Sequence, residues 1–336
     1  MSHFQSTDPR DKIYALLGFL KKSDEFPFEP AYGPSDKLED LYRNAASFLL
    51  LRDPSLLILH RAGTGFPRSP ELQNLPSWAP DWSSASRDIK VFGYQKRSNF
   101  RAGGDPVRAA RKGNSGTLVV DGIVVDTVAN LSSERPAPPT CGIQTDQHQI
   151  DEFRRVSAKF LQEIEAYMPP LGIEGSWEDS DEKTYPPCRP TESLRSAFTK
   201  TLITSEPALN DDKLVDDKAM VNMWKRIMGL YMCGDSDHRG LLDGATLNYN
   251  LAVIAATNRR RFFTTTRGFI GLTSSGTQEG DTVCLLRGAA TPFIVRSHHS
   301  PSLGMRTWEI VGEAYVHSLM NGEEFCENKL TEFILV

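Results

Sequence analysis

The feature that most constrains the fold is a change of rhythm near residue 260. From there short β-prone runs follow one another, at 261–265, 268–272, 282–286, 292–296 and 306–316, each parted by a turn signal. Gly280-Asp281 before the third run supplies a turn rather than a binding motif. Five short antiparallel strands with glycine turns predict a small barrel or a tightly curled sheet.

Upstream the pattern is different. Asp8 is placed to cap a first helix, Pro9 suits its first position, and Ile13, Leu16, Leu17 and Leu20 recur at helical spacing with Tyr14 beside them. Gly18 weakens the last turn. A second amphipathic helix is expected over 35–51, capped by Ser35, and further helices over 150–167, 191–203 and 212–232. Residues 56–61 read as a short buried strand or helix end, and 117–128 as strongly β-prone. The prolines of Leu75-Pro76-Ser77-Trp78-Ala79-Pro80-Asp81-Trp82 exclude a regular helix, so both indoles should pack on the preceding elements. The fold class expected is α+β, with a mainly helical first two-thirds followed by the curled sheet or barrel. Three regions follow: a packed α/β unit at 1–130, a helical and irregular region at 131–250, and a β-rich module at 251–336.

Bulk properties narrow the function. A net charge of −5 disfavours a general electrostatic role on nucleic acid, and the triplet Arg259-Arg260-Arg261 reads as the solvated lead-in to a strand. The cysteines Cys141, Cys188, Cys233, Cys284 and Cys326 are scattered, odd in number and without a CxxC pair, which fits a reducing compartment. No apolar run is long enough for a membrane span and no secretory leader is evident, so a cytoplasmic location is expected, with no membrane partner.

No catalytic constellation stands out. There is no G-x-S-x-G elbow, phosphate loop or H-E-x-x-H pattern, so no cofactor, no metal and no catalytic residue is assigned. His298-His299 reads as part of a surface loop, and Asp235-Ser236-Asp237-His238-Arg239 as a hydrated acidic loop. Glu309 and Glu313 share one face of an extended run and are expected to be exposed edge charges.

Asp8-Pro9-Arg10-Asp11-Lys12-Ile13-Tyr14-Ala15-Leu16-Leu17-Gly18 resembles the last sequence block of the fungal heterokaryon-incompatibility (HET) domain. The resemblance extends to Leu56–Gly63, to Leu75-Pro76-Ser77-Trp78-Ala79-Pro80-Asp81-Trp82-Ser83, and to the β-rich tail, including Gly312-Glu313-Ala314-Tyr315. It implies self/non-self recognition ending in programmed cell death, and a distant likeness to TIR domains, some of which cleave NAD. The earlier blocks of that domain are expected upstream of Asp8, where seven residues stand, so the chain reads as truncated at its amino end. The expectation is a HET-like protein acting through a protein partner, without catalysis. The alternatives are a TIR-like NAD hydrolase or other enzyme, or a small-ligand module built on Phe269, Phe293 and Trp308.

Overall fold

The structure is a computed structural model that describes residues 6–18, 29–83, 91–94, 100–113, 116–138, 147–168, 192–204, 216–233, 243–301 and 304–336. Two helices come first, α1 (Asp11–Leu17) and α2 (Leu38–Leu50). They are followed by 3-10 turns at Leu57–Arg61, Pro70–Leu72 and Phe92–Tyr94. Next are β1 (Arg111–Lys112) and β2 (Leu118–Leu131), and then four helices: α3 (Gln147–Glu165), α4 (Leu194–Leu202), α5 (Asp217–Cys233) and α6 (Gly244–Thr257). The tail holds β3 (Arg260–Thr265), β4 (Ile270–Ser274), β5 (Thr282–Leu286), β6 (Phe293–Ser300), β7 (Met305–Glu313), β8 (Tyr315–Val316) and β9 (Thr331–Leu335).

The expected curled sheet is present, and its closing piece comes from far upstream. β2 changes partner along its length: Leu118–Gly122 pairs β9, Gly122–Thr127 pairs β5, and Val128–Leu131 pairs β3. Since β5 pairs β6, β6 pairs β7 and β7 pairs β9, the ring β2–β5–β6–β7–β9 closes on itself. Closure removes sheet edges that would otherwise template aggregation. Register shifts between Val124 and Asp126, and between Val128 and Asn130, interrupt the ladder where β2 leaves the ring. From there β3, β4 and β8 continue as an open antiparallel extension. The β7–β9 contact, Trp308 with Leu335, is parallel.

Successive residues of the ring strands feed two cores, because side chains alternate across a strand. Phe293 and Val295 of β6, with Ile310 of β7 and Phe333 of β9, join α1, α2, Trp78 and Ala79. Ile294, Val283 and Val311 join the other core with Phe262, Phe263 and Leu272, under the helices α3 to α6. A strand covered on both faces is apolar throughout, which explains the unbroken run Thr282-Val283-Cys284-Leu285-Leu286.

The α+β class holds. The mainly helical first two-thirds does not describe the early chain. There the α-helices are the 7 residues of α1 and the 13 of α2, whereas the longest strand, β2, spans 14 residues. Its β-branched run (Val119, Val120, Ile123, Val124, Val125) favours extended backbone and finds partners on both sides. At α1, Asp8 is not the cap. The helix starts three residues later, and the Asp8 carboxylate instead accepts from the Arg10 backbone N–H at 2.9 Å. Ile13 is buried, Leu16 and Leu17 are half-buried, and Leu20 lies outside the described residues. At α2 the N-cap position is Lys37 rather than Ser35. Residues 56–61 resolve into a 3-10 turn, opened by Leu56 in the left-handed region at φ 52°.

Candidate functional site

Two of the segments singled out by sequence, around Gly63 and Ser77, meet at β7. Gly63 has φ +122°, and a Cβ there would meet the Val311 carbonyl at 2.4 Å, so only glycine lets this turn lie against the strand. Thr64 and Gly65 then donate their backbone N–H groups to the carbonyls of Ile310 (3.0 Å) and Val311 (2.7 Å). The Leu75–Trp82 segment arrives from the other direction. Ser77 donates its backbone N–H to the Val336 carbonyl at 2.8 Å and accepts from the Ile310 N–H at 2.9 Å, so it bridges β7 to the end of β9.

Beyond Ser77, Trp78 and Pro80 are buried, and Asp81 ties off the turn by accepting from the backbone N–H groups of Ser69 (3.0 Å) and Ser83 (2.8 Å). Trp82 meets Tyr42 edge-on at 5.0 Å, and Tyr42 donates its hydroxyl to the Pro9 carbonyl at 2.9 Å. The α1 motif is thus coupled to β7 through these intermediaries, and Ile13 shares a core with Ile310. Its own charges are spent locally. Asp8 binds Arg10 at 2.8 Å, and that partner holds its carboxyl below the usual carboxylate range. Asp11 accepts from the Tyr32 hydroxyl at 2.6 Å, Tyr14 donates to the Ala31 carbonyl at 3.2 Å, and Lys12 is buried. Leu17 and Gly18 end the helix, and Gly18 has open space beside it.

At the end of β7 the structure overturns the expectation for Glu313. It is no exposed edge charge: its side chain is 2% exposed, beside Arg260 at 1% and His60 at 0%. One oxygen accepts from Arg260 Nη2 at 3.0 Å and from the Phe92 backbone N–H at 2.7 Å. The other faces His60 Nδ1 at 3.2 Å and accepts from the Gly93 N–H at 3.2 Å. The partners come from three distant parts of the chain, around residues 60, 92 and 260, and Gly312 just before it leaves room for Ser274. Burial alone would raise the Glu313 pKa; His60, Arg260 and the Phe92 amide outweigh it, and the group stays ionised. Arg260 also lies 3.8 Å from the Phe92 ring centroid. The triplet Arg259-Arg260-Arg261 is therefore not a solvated lead-in, since its middle member is a core cation. Gly93 is required here because a Cβ would run into the His60 ring at 2.6 Å.

A second polar cluster escaped the sequence reading. Glu192 accepts from Lys200 Nζ at 2.7 Å and faces His317 Nε2 at 3.0 Å, while Lys200 also reaches Asp217 at 2.9 Å. The Tyr315 hydroxyl lies 3.3 Å from the other nitrogen of His317. Burial would raise the Glu192 pKa, but the hydrogen bonds and charges of His317 and Lys200 bring it down to about 2. The available signal was Tyr315-Val316-His317, where residues two apart on an extended chain share a face.

Other expectations fall differently. His298 and His299 lie on β6, not in a loop, and His298 Nε2 is 2.8 Å from Glu309. Asp235–Arg239 lies outside the described residues. The three aromatics considered for a ligand are buried, and Phe269 belongs to one core while Phe293 and Trp308 belong to the other, so they line no common pocket. Among the described residues no group of three His, Cys, Asp or Glu side chains is placed to hold a metal ion, and no helix is long and apolar enough to cross a membrane.

Chemically, the Glu313 cluster is a clamp. A carboxylate offers about four lone-pair sites, and Arg260, His60 and two backbone amides occupy that many. Among the described residues the Glu313 carboxylate is already engaged by its own chain.

Comparison with known proteins finds two likenesses. Residues 182–336 match the family model of the Het-6 beta-barrel domain. Over 368 aligned residues, covering 98% of this chain, the sequence is 25% identical to heterokaryon incompatibility protein 6, OR allele, of Neurospora crassa. The carboxy-terminal part of the chain is thus similar to the Het-6 beta-barrel domain, and the chain as a whole to a heterokaryon-incompatibility protein. The chain spans about half the length of that curated relative, 51%. No solved structure matches. The family match starts at residue 182, whereas the ring it describes is closed by β2 at Leu118–Leu131.

Proposed function

We propose that this chain acts in fungal self/non-self recognition, in the cytoplasm, through contact with a protein partner rather than by turning over a substrate. The similarity to heterokaryon incompatibility protein 6 along nearly the whole chain supports the recognition role. The Glu313 clamp carries the non-catalytic part of the reading. A general base or nucleophile must reach its substrate, and here Glu313 is buried and engaged by its own chain. What such a scaffold offers a partner is its surface, held rigid by the ring beneath. Programmed cell death is the outcome expected of an incompatible encounter.

Expression in a fungal host tests the reading. Growth arrest or death in some genetic backgrounds and not others, with a specific protein recovered on the tagged chain, is the expected result. No phenotype together with no recovered partner would overturn the recognition role. Consumption of NAD by the purified protein would overturn the absence of catalysis.

A further inference from the structure

Helix α6 carries apolar residues on two opposite sides, with Asn248 and Asn250 on the flanks between them. Its inner face buries Tyr249, Val253, Ala256 and Thr257. Its outer face carries Leu247, 47% exposed, and Leu251, 54% exposed, with Ile254 half-buried and Ala255 exposed beside them. Scattered single apolar residues on a surface need no explanation, but these lie one turn apart on one stripe.

The stripe has an internal symmetry that selects its occupant. Turning a second α6 antiparallel about Leu251 sets Leu251 against its own copy and Leu247 against Ala255, a large residue opposite a small one. The same operation sets Asp243, the acidic N-cap, against Arg259, the exposed cation just past the helix end. Each charge also sits at the end of the helix dipole that favours it, or close to it. Asp243 already pairs with Arg226 of α5, so in the pair it would lie between two guanidinium groups. Gly244 has open space where a side chain would stand, which permits close approach at that end.

We infer that the outer face of α6 binds a second copy of this chain, as an antiparallel two-fold helix pair centred on Leu251. A two-fold contact must be self-complementary, and this face is so in size and in charge. One helix pair lies at the small end of specific interfaces, so the dimer is weak, with a Kd on the order of 10 µM. The inference concerns the purified chain alone and stands or falls independently of the incompatibility role.

Sedimentation of the full chain across a concentration series tests it, with melting temperature as the folding control. The expected result is a monomer–dimer equilibrium. Leu251→Arg brings like charges together at the axis and should raise Kd by about 100-fold with an unchanged melting temperature. Arg259→Asp places two acids in contact and should also weaken the dimer. A chain that stays monomeric to millimolar concentration would overturn the inference. So would a dimer that survives Leu251→Arg, or one indifferent to Arg259→Asp.

Discussion

Glu313 shows how one buried charge organises distant segments. Removing one partner of a buried ion pair leaves the other uncompensated, which costs about 3–5 kcal/mol. Glu313→Gln should therefore destabilise the fold by about that amount in urea denaturation; a loss near zero would show that Arg260 is neutralised elsewhere. Glu192 makes a prediction in pH. Its folded pKa, about 2, lies below the ordinary value of 4.5, so its contribution to stability is fully present above about pH 4.5. The contribution is lost as pH falls from there through about 2. Wild type should lose more stability across that window than Glu192→Gln, and parallel curves would remove Glu192 from the account. Neither role was legible in the sequence. An acid four residues from another on a strand looks like an edge charge, and only the arrival of His60, Phe92 and Arg260 turns it inward. Gly63 and Gly93 are needed for what they approach, Val311 and His60, and no local signal marks either role.

The elements divide by whether their signal is local. The runs at 261–265, 282–286 and 292–296 emerged as β3, β5 and β6 nearly as read, because β-branched and aromatic residues between turn signals suffice. The run at 306–316 became β7 and β8, divided at Ala314. Two elements gave no sign. β9 is five residues with acidic Glu332 in its exposed half, and it is a strand because β2 lies beside it. α6 has no polar face to set a helical period, so nothing marks it as amphipathic. The place of β9 in the ring can be tested directly. Phe333 is buried against Trp308, with ring centroids 5.0 Å apart. Phe333→Ala should cost about 3–5 kcal/mol and, by loosening β9 from β2 and β7, promote aggregation on heating. A variant that loses stability without aggregating would mean that the ring stays shut.

At the scale of the whole molecule, the closure of the ring decides what can be cut. The family match covers residues 182–336, yet β5 and β9 are both paired to β2, which lies more than fifty residues before it. A fragment beginning at 182 would keep β5, β6, β7 and β9 and lose the strand between β5 and β9. Three strands, β3, β5 and β9, would each lose a partner and expose an edge, an invitation to aggregate. The fragment would also lose His60, Phe92 and Gly93, three of the partners of Glu313, while Glu313 and Arg260 remained. A fragment of 182–336 is therefore expected to be insoluble or molten, with poor amide dispersion by NMR. One that restores residues 116–138 should regain strand pairing but remain weaker than the full chain, because the amides on Glu313 are still missing. A well-dispersed, monomeric fragment of 182–336 would show that β5 and β9 can pair with each other, and that β2 is a covering strand rather than a closing one.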